Sequence, residues 1–274
     1  MNNLKKQQHY VWKYYLKPWT INDKIWCQRN GSTFNTSLKN IAQKRYFYES
    51  EQLNSDELAF LKYFLSGMHP TAQKSLNELL KLYNFTADSN GYIKKCGIED
   101  FHSIIEKNFI SILGKLYLED LSFFENEKEK NDFAYFIGSQ YTRTNKMRDN
   151  MIKANLKTPN LNPEKLSKVF NLILADTIGN WIFSKTKTRL LINNSDIDFI
   201  TGDQPVLNTM GNHSYTKAPE KMELYYPISP KYAIYISEKL DGKIYISKDD
   251  VIKYNEFIKN HSKEQLYSRK ENDF

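Results

Sequence analysis

Apolar residues change their spacing along the chain, and each change predicts a different kind of element. In residues 1–50 the pattern is strand-like or irregular. Lys24–Arg29 and Ser32–Ser37 flank Asn30-Gly31, and an Asn-Gly pair supplies the positive φ values of a tight antiparallel hairpin. From Ser55 the period lengthens to that of a helix, with Leu58, Leu61 and Leu65 on one side and Ser55 as the cap. Pro70 opens a second helix carrying Leu76, Leu79, Leu80 and Tyr83. The polar stretch "NFTADSNGY" then predicts a loop. Three longer helical stripes follow, over Ile98–Leu118, Phe133–Met151 and Leu166–Ile182. Beyond Lys187 strand patterns return in "DIDFITGDQPVLNT", "ELYYPISPKYAIYISE" and "KIYISK". Asp241-Gly242 is the expected hairpin turn between the last two, and Val251–Tyr267 reads as a closing helix.

This order predicts a single α+β domain over 1–274: β-rich in 1–50, helical in 55–186, β-rich in 190–248, with a C-terminal helix at 251–267. A central helical bundle packs against a small, mostly antiparallel sheet built from the N- and C-terminal segments.

Composition supports that outline. Apolar residues make up 40% of the chain, with 19 Tyr and 16 Phe, enough large rings to build a core. Ten Gly and eight Pro leave long uninterrupted stretches, which favours helices over a many-turned β fold. Cys27 and Cys96 are too few for a disulfide framework or a zinc knuckle. No apolar run has the length of a signal peptide or a membrane span, so the expected setting is the cytoplasm, with no membrane partner. The net charge of +7 and pI near 9.0 favour an acidic partner such as nucleic acid or nucleotide phosphate. Lys, Asn, Ile and Tyr are all abundant, however, and a generally basic surface explains the same charge.

Common catalytic signatures are missing: no Gly-rich phosphate loop, nucleophile elbow, His-Glu-x-x-His or paired-Cys motif occurs. Candidates come instead from polar residues on apolar faces. Gln140 and Arg143 follow Phe136 by four and seven residues, which turns both toward the core side of their helix. An arginine there either ties elements together or holds an anionic ligand. Glu106 lies on the shoulder of the preceding stripe, as an ion-pair partner for Arg143 or as one carboxylate of an acid/base or metal-binding set. Asp203 and Gln204 stand at the lip of the apolar run Ile197–Ile200, where a turn and a site are both reasonable. His9 opens the aromatic stretch "HYVWKYYLKPWT", read either as a terminus packed on the core or as a base-stacking surface. His69, His102, His213 and His261 lie in scattered contexts with no ligand-pair spacing.

In their order and spacing these pieces resemble a bacterial family known as domain of unknown function 4238. The likeness rests on "HYVWKYYLKPW", "KIWCQRNGSTFNTSLKNIA", "YFYE", "FIGSQYTRT", "ITGDQPV" and "YPISP", and it spans almost the whole chain. Departures occur at Trp12, where many members have proline, at Gly202, where Ser is common, and at Gln204, where Asn is common. The resemblance implies a shared fold and gives weight to His9, Gln140, Arg143 and Asp203, with Glu106 beside them; it implies no activity.

Two functions follow. In the first the protein is a hydrolase of nucleic acid or nucleotides. Arg143, with Gln140 and Gln204, binds the substrate phosphate; Asp203 with Glu106 holds a divalent metal ion or acts as general base; His9 is acid or ligand. In the second, Arg143, Glu106 and Asp203 form a buried salt-bridge network, and the protein binds a ligand or partner without catalysis.

Overall fold

A computed structural model describes residues 4–155, 160–211 and 219–274; His213 lies outside the described residues. The chain begins with β1 (Gln7–His9), a short helix α1 (Lys13–Leu16), the hairpin β2 (Lys24–Arg29) and β3 (Ser32–Ser37), and β4 (Gln43–Arg45). Six helices follow: α2 (Ser55–Ser66), α3 (Pro70–Asp88), α4 (Gly91–Tyr117), α5 (Glu127–Thr142), α6 (Asn145–Asn155) and α7 (Pro163–Lys185). The last third holds β5 (Lys187–Asn193), β6 (Thr201–Gly202), β7 (Leu207–Asn208), β8 (Leu224–Pro227), β9 (Tyr232–Ser237), β10 (Gly242–Ile246), α8 (Lys248–His261) and β11 (Gln265–Ser268).

The architecture is α+β, with sheets that are mostly antiparallel. A four-stranded sheet in the order β3-β2-β11-β6 joins the two ends of the chain, as the sequence pattern predicts. Its hairpin pairs Lys24–Arg29 with Ser32–Ser37 in the expected antiparallel register. A second sheet, β10-β5-β9-β8-β7, comes wholly from the C-terminal third, and β1 pairs with β4 in a small ladder.

Helices and sheets share an aromatic core. Phe109 of α4 stacks on Phe136 of α5 with ring centroids 3.8 Å apart, and Trp12 meets both edge-on. Tyr15 stacks on Tyr226 at 4.8 Å, which links α1 to β8. Each such ring contributes about 1.5–3 kcal/mol on burial, so the "HYVWKYYLKPWT" segment is a packed terminus: Tyr10, Trp12, Tyr15 and Trp19 are all buried. At the α5–α7 crossing, a Cβ on Gly138 would lie 2.4 Å from the Ala175 carbonyl oxygen, so the two backbones meet only because that side chain is missing. Among the described residues no helix is long and apolar enough to cross a membrane.

Several details differ from the pattern-based expectation, beginning with Ser55, which is the first residue of α2 while Asn54 is its cap. "NFTADSNGY" is mostly helix, because Thr86 and Ala87 are buried and Thr86 Oγ1 bonds both the Tyr83 carbonyl at 2.8 Å and the Ser50 hydroxyl at 2.7 Å. Strand β10 does not form a hairpin with β9; it crosses to the far side of β5 and pairs with it in parallel. Of the run Ile197–Thr209, Thr201–Gly202 and Leu207–Asn208 are strand, while Phe199 and Ile200 are buried outside any strand. The closing helix ends at His261, and Gln265–Ser268 forms β11 between β2 and β6, since all four of its residues are buried in that sheet.

Candidate functional site

Arg143 stands where a helix breaks. The stripe over Phe133–Met151 reads as one helix, yet α5 stops at Thr142 and α6 starts at Asn145. Polar side chains next to Arg143 explain the break. Thr142 Oγ1 turns back to the Gly138 carbonyl and across to the Asn171 carbonyl, each at 3.0 Å. Thr144 Oγ1 accepts from the Met147 amide at 3.3 Å, which caps α6, and it donates to Gln204 Oε1. Arg143 therefore occupies the C-cap of α5, with φ −77° and ψ 3°, and its side chain goes inward at 2% exposure.

Its neighbours are mostly acids and histidines. Arg143 Nη2 lies 2.8 Å from Glu106 Oε1 and donates to Gln140 Oε1 at 2.8 Å. Gln140 Nε2 in turn donates to the Tyr10 carbonyl at 3.2 Å, which ties the N-terminal segment to the pair. On α4, Glu99, His102 and Glu106 are spaced by three and four residues and share a face, and the charge of Arg143 acts on all three as well as on His9.

Burial and the guanidinium pull these groups in different directions. Burial pushes Glu99 up to about 7; Arg143 opposes the rise and the Glu106 charge adds to it. Glu106 is also raised by burial, held back by the charge and hydrogen bond of Arg143, and 17% of its side chain stays open to solvent. His9 is lowered to about 4, first by burial and then by the Lys13 charge, so it is neutral near pH 7. His102 is fully neutral as well, lowered by burial, with Nδ1 3.2 Å from Ser139 Oγ and its ring 4.7 Å from that of Tyr48. Among the described residues several buried polar atoms here make no hydrogen bond, including Arg143 Nε, His9 Nδ1, the Tyr226 hydroxyl and, beside His102, Arg148 Nε and Asn171 Oδ1. Unpaired groups of this kind are rare inside proteins.

Asp203 belongs to a different assembly. It is 1% exposed, and its carboxylate accepts from three successive backbone amides: Lys263 at 2.7 Å, Glu264 at 2.9 Å and Gln265 at 3.2 Å. Its own amide donates to the Gln265 carbonyl at 2.9 Å. Burial raises its pKa, and the amides act against that rise. Gln204 is equally occupied: Nε2 donates to the carbonyls of Tyr141 (3.1 Å) and Val206 (2.9 Å), and Oε1 accepts from Thr144. At Gly202 a Cβ would come within 2.0 Å of Ser262 Oγ, which accounts for glycine at a position where the resembling family commonly has Ser.

The structure thus gathers His9, Glu106, Gln140 and Arg143 into one neighbourhood, while Asp203 and Gln204 clamp the lip of β6 to the segment before β11 and to the α5–α6 joint. Asp203 makes no bond to Arg143 or Glu106. Glu99 and His102 join the cluster although the sequence reading did not single them out as site residues; the 99, 102, 106 spacing is the signal that finds them. Among the described residues no group of three or more His, Cys, Asp or Glu is placed to hold a metal ion. With the Asp203 oxygens taken by amides, the Asp203–Glu106 pair does not fit a metal ion.

A family model described as "Protein of unknown function (DUF4238)" matches residues 7–272, and the chain belongs to that family. No curated protein and no solved structure matches it.

Proposed function

We propose that this DUF4238 member is a hydrolase acting on nucleic acid or nucleotide phosphates by general acid–base catalysis at the Arg143 cluster. The observation that carries this reading is the pair Glu99 and Glu106 on one face of α4, both in the field of one buried arginine, of which only Glu106 is ion-paired to it. Neighbouring carboxylates whose environments separate their proton affinities serve as an acid and a base. Glu99, pushed up to about 7, is protonated in a substantial fraction of molecules near neutral pH and in that form donates its proton to the leaving oxygen. Glu106, paired with Arg143, is the carboxylate that accepts a proton from water. Arg143 Nε makes no hydrogen bond among the described residues and is buried, so it serves an anionic oxygen of the substrate only once the cluster opens, with neutral His9 in the same field. Gln204 acts at a distance, by fixing the α5–α6 joint that carries Arg143, and Asp203 holds the lip of β6 on which Gln204 stands.

The purified protein incubated with DNA, RNA and nucleotide pools, with and without Mg²⁺ or Mn²⁺, is expected to hydrolyse one of them. Glu99→Gln should lower that turnover roughly 100-fold or more, the size of a lost general acid, without lowering the melting temperature. No turnover of any substrate by the parent protein overturns the reading.

One observation favours the second reading, a non-catalytic network: both bonds of Arg143 Nη2 end inside the protein, on Glu106 and Gln140. On that reading the cluster binds helices together and the protein acts through a ligand or partner. Glu99→Gln then changes stability and leaves no activity to lose.

A further inference from the structure

We propose that a basic rim around Tyr46 docks the sugar–phosphate backbone of a single-stranded nucleic acid and leads it to the Glu99–Glu106 cluster. The proposal deepens the hydrolase reading of that cluster, on which its choice of substrate rests.

The rim is built by the β1–β4 ladder and the first turns of α4. Arg45 pairs with Gln7 and Lys44 with Gln8 across the ladder, and the Tyr46 amide donates to the Lys6 carbonyl at 2.9 Å. From α4, the Lys94 carbonyl accepts from the Ser50 amide at 3.0 Å and the Lys95 carbonyl from Gln8 Nε2 at 2.6 Å. These bonds hold the backbones of Lys6, Lys44, Arg45, Lys94 and Lys95 in adjoining segments, and two of the side chains cover one ring: Arg45 lies 5.3 Å and Lys95 4.9 Å from the Tyr46 centroid. Among the described residues none of the five is in a salt bridge, and Lys44 donates only to the neutral Asn145 Oδ1 at 2.7 Å. Some lysines elsewhere are matched, as Lys115 is by Glu129, Lys187 by Asp241 and Lys263 by Asp149.

The placement of Lys94 and Lys95 also runs against the helix that bears them. The first turn of α4 holds no acidic residue, and cations near a helix N-terminus oppose its dipole. A helix tuned for stability alone puts acids there.

The rim leads into the cluster along the same two elements. Lys95 is one turn before Glu99 on α4, and Gln8, which binds the Lys95 carbonyl, is followed at once by His9. Cations spread over two strands and a helix turn match successive phosphates of a polymer better than the phosphate of one nucleotide. Glu106 is recessed, with 17% of its side chain exposed, so an unpaired strand reaches it while a duplex has first to be opened.

Fluorescence anisotropy with labelled single-stranded RNA, single-stranded DNA and their duplexes tests the dock without any turnover. The parent is expected to bind a single strand more tightly than the duplex, with affinity falling steeply as salt rises. In Lys6→Ala/Arg45→Ala/Lys94→Ala/Lys95→Ala the slope of log affinity against log salt should shrink by roughly 3, the value for four lost phosphate contacts to a single strand. Should that variant fail to fold, Lys6→Ala/Arg45→Ala changes exposed side chains only and should shrink the slope by about 1.4. Lys187→Ala/Lys248→Ala, on ion-paired lysines elsewhere, should leave binding unchanged. Failure of the parent to bind, an unchanged slope in the rim variants, or tighter binding of duplex overturns the proposal. Glu99→Gln should bind like the parent. Rim-dependent binding without turnover by the parent upholds the dock and ends the hydrolase reading.

Discussion

The Arg143 cluster and the Asp203 clamp are both polar and buried, and each sits at the end of a regular element, yet their accounts of hydrogen bonds differ. Both oxygens of the Asp203 carboxylate have backbone donors, three amides in a row from one segment, while the nearby Ser262 hydroxyl makes no hydrogen bond among the described residues. Around Arg143, one ion pair and one amide bond are surrounded by several buried atoms that make no hydrogen bond among the described residues and by two histidines kept neutral. A closed account is what stability requires. An open one costs free energy unless something else binds there, which is the physical reason to look for function at Arg143 and architecture at Asp203.

The contrast breaks most readily at Arg143. Arg143→Ala leaves Glu106 and Gln140 facing a void, and loss of one member of a buried pair costs about 3–5 kcal/mol. Denaturant unfolding is expected to show a loss of that size, and a loss under about 1 kcal/mol would mean that the pair is solvated and the cluster is not a buried unit.

A smaller effect is expected at the clamp. Asp203→Asn keeps one acceptor oxygen but removes the charge and turns the other position into a donor facing amide donors, at a cost of about 1–3 kcal/mol. Melting temperature should fall while any turnover by the surviving folded protein stays at the parent level. An unchanged melt with lost activity would move Asp203 back into the chemistry.

The smallest effect concerns pH and sharpens the comparison within the cluster. Glu99 titrates at about 7 in the fold against an ordinary 4.5, so the folded protein holds the extra proton between those values and its stability falls as pH rises through that window. His9 titrates at about 4 against an ordinary 6.5, so the unfolded chain holds the extra proton there and stability rises with pH over that range. The two slopes oppose each other between about 4.5 and 6.5. Glu99→Gln removes the falling one, so stability of the variant, followed by denaturant midpoints across pH, should climb more steeply up to about pH 6.5 than that of the parent.

Much of the cluster is legible in the chain itself. Spacing turns Gln140 and Arg143 toward the apolar side, and Glu106 lies at a position to meet them from the preceding helix. That much holds even though the helix breaks at Arg143, because the break follows the inward turn rather than undoing it. Glu99 was equally readable, three residues before His102 and seven before Glu106. The Asp203 clamp was not. Its partners are the amides of Lys263, Glu264 and Gln265, about sixty residues downstream, in a stretch whose pattern continues a helix.

By itself the sequence determined the α+β order of elements, the hairpin at Asn30-Gly31, the helical stripes and the inward direction of the polar residues at 106, 140 and 143. Periods of two and 3.6 residues are local properties of the backbone, and they decide which side of an element is buried. Only the tertiary structure decided where β10 and β11 pair, that Asp203 meets backbone amides instead of Arg143, and that Glu106 pairs with the Arg143 guanidinium while Glu99 lies in its field. Those outcomes depend on contacts between segments far apart in the chain, and a buried charge takes whichever partner the fold delivers to it.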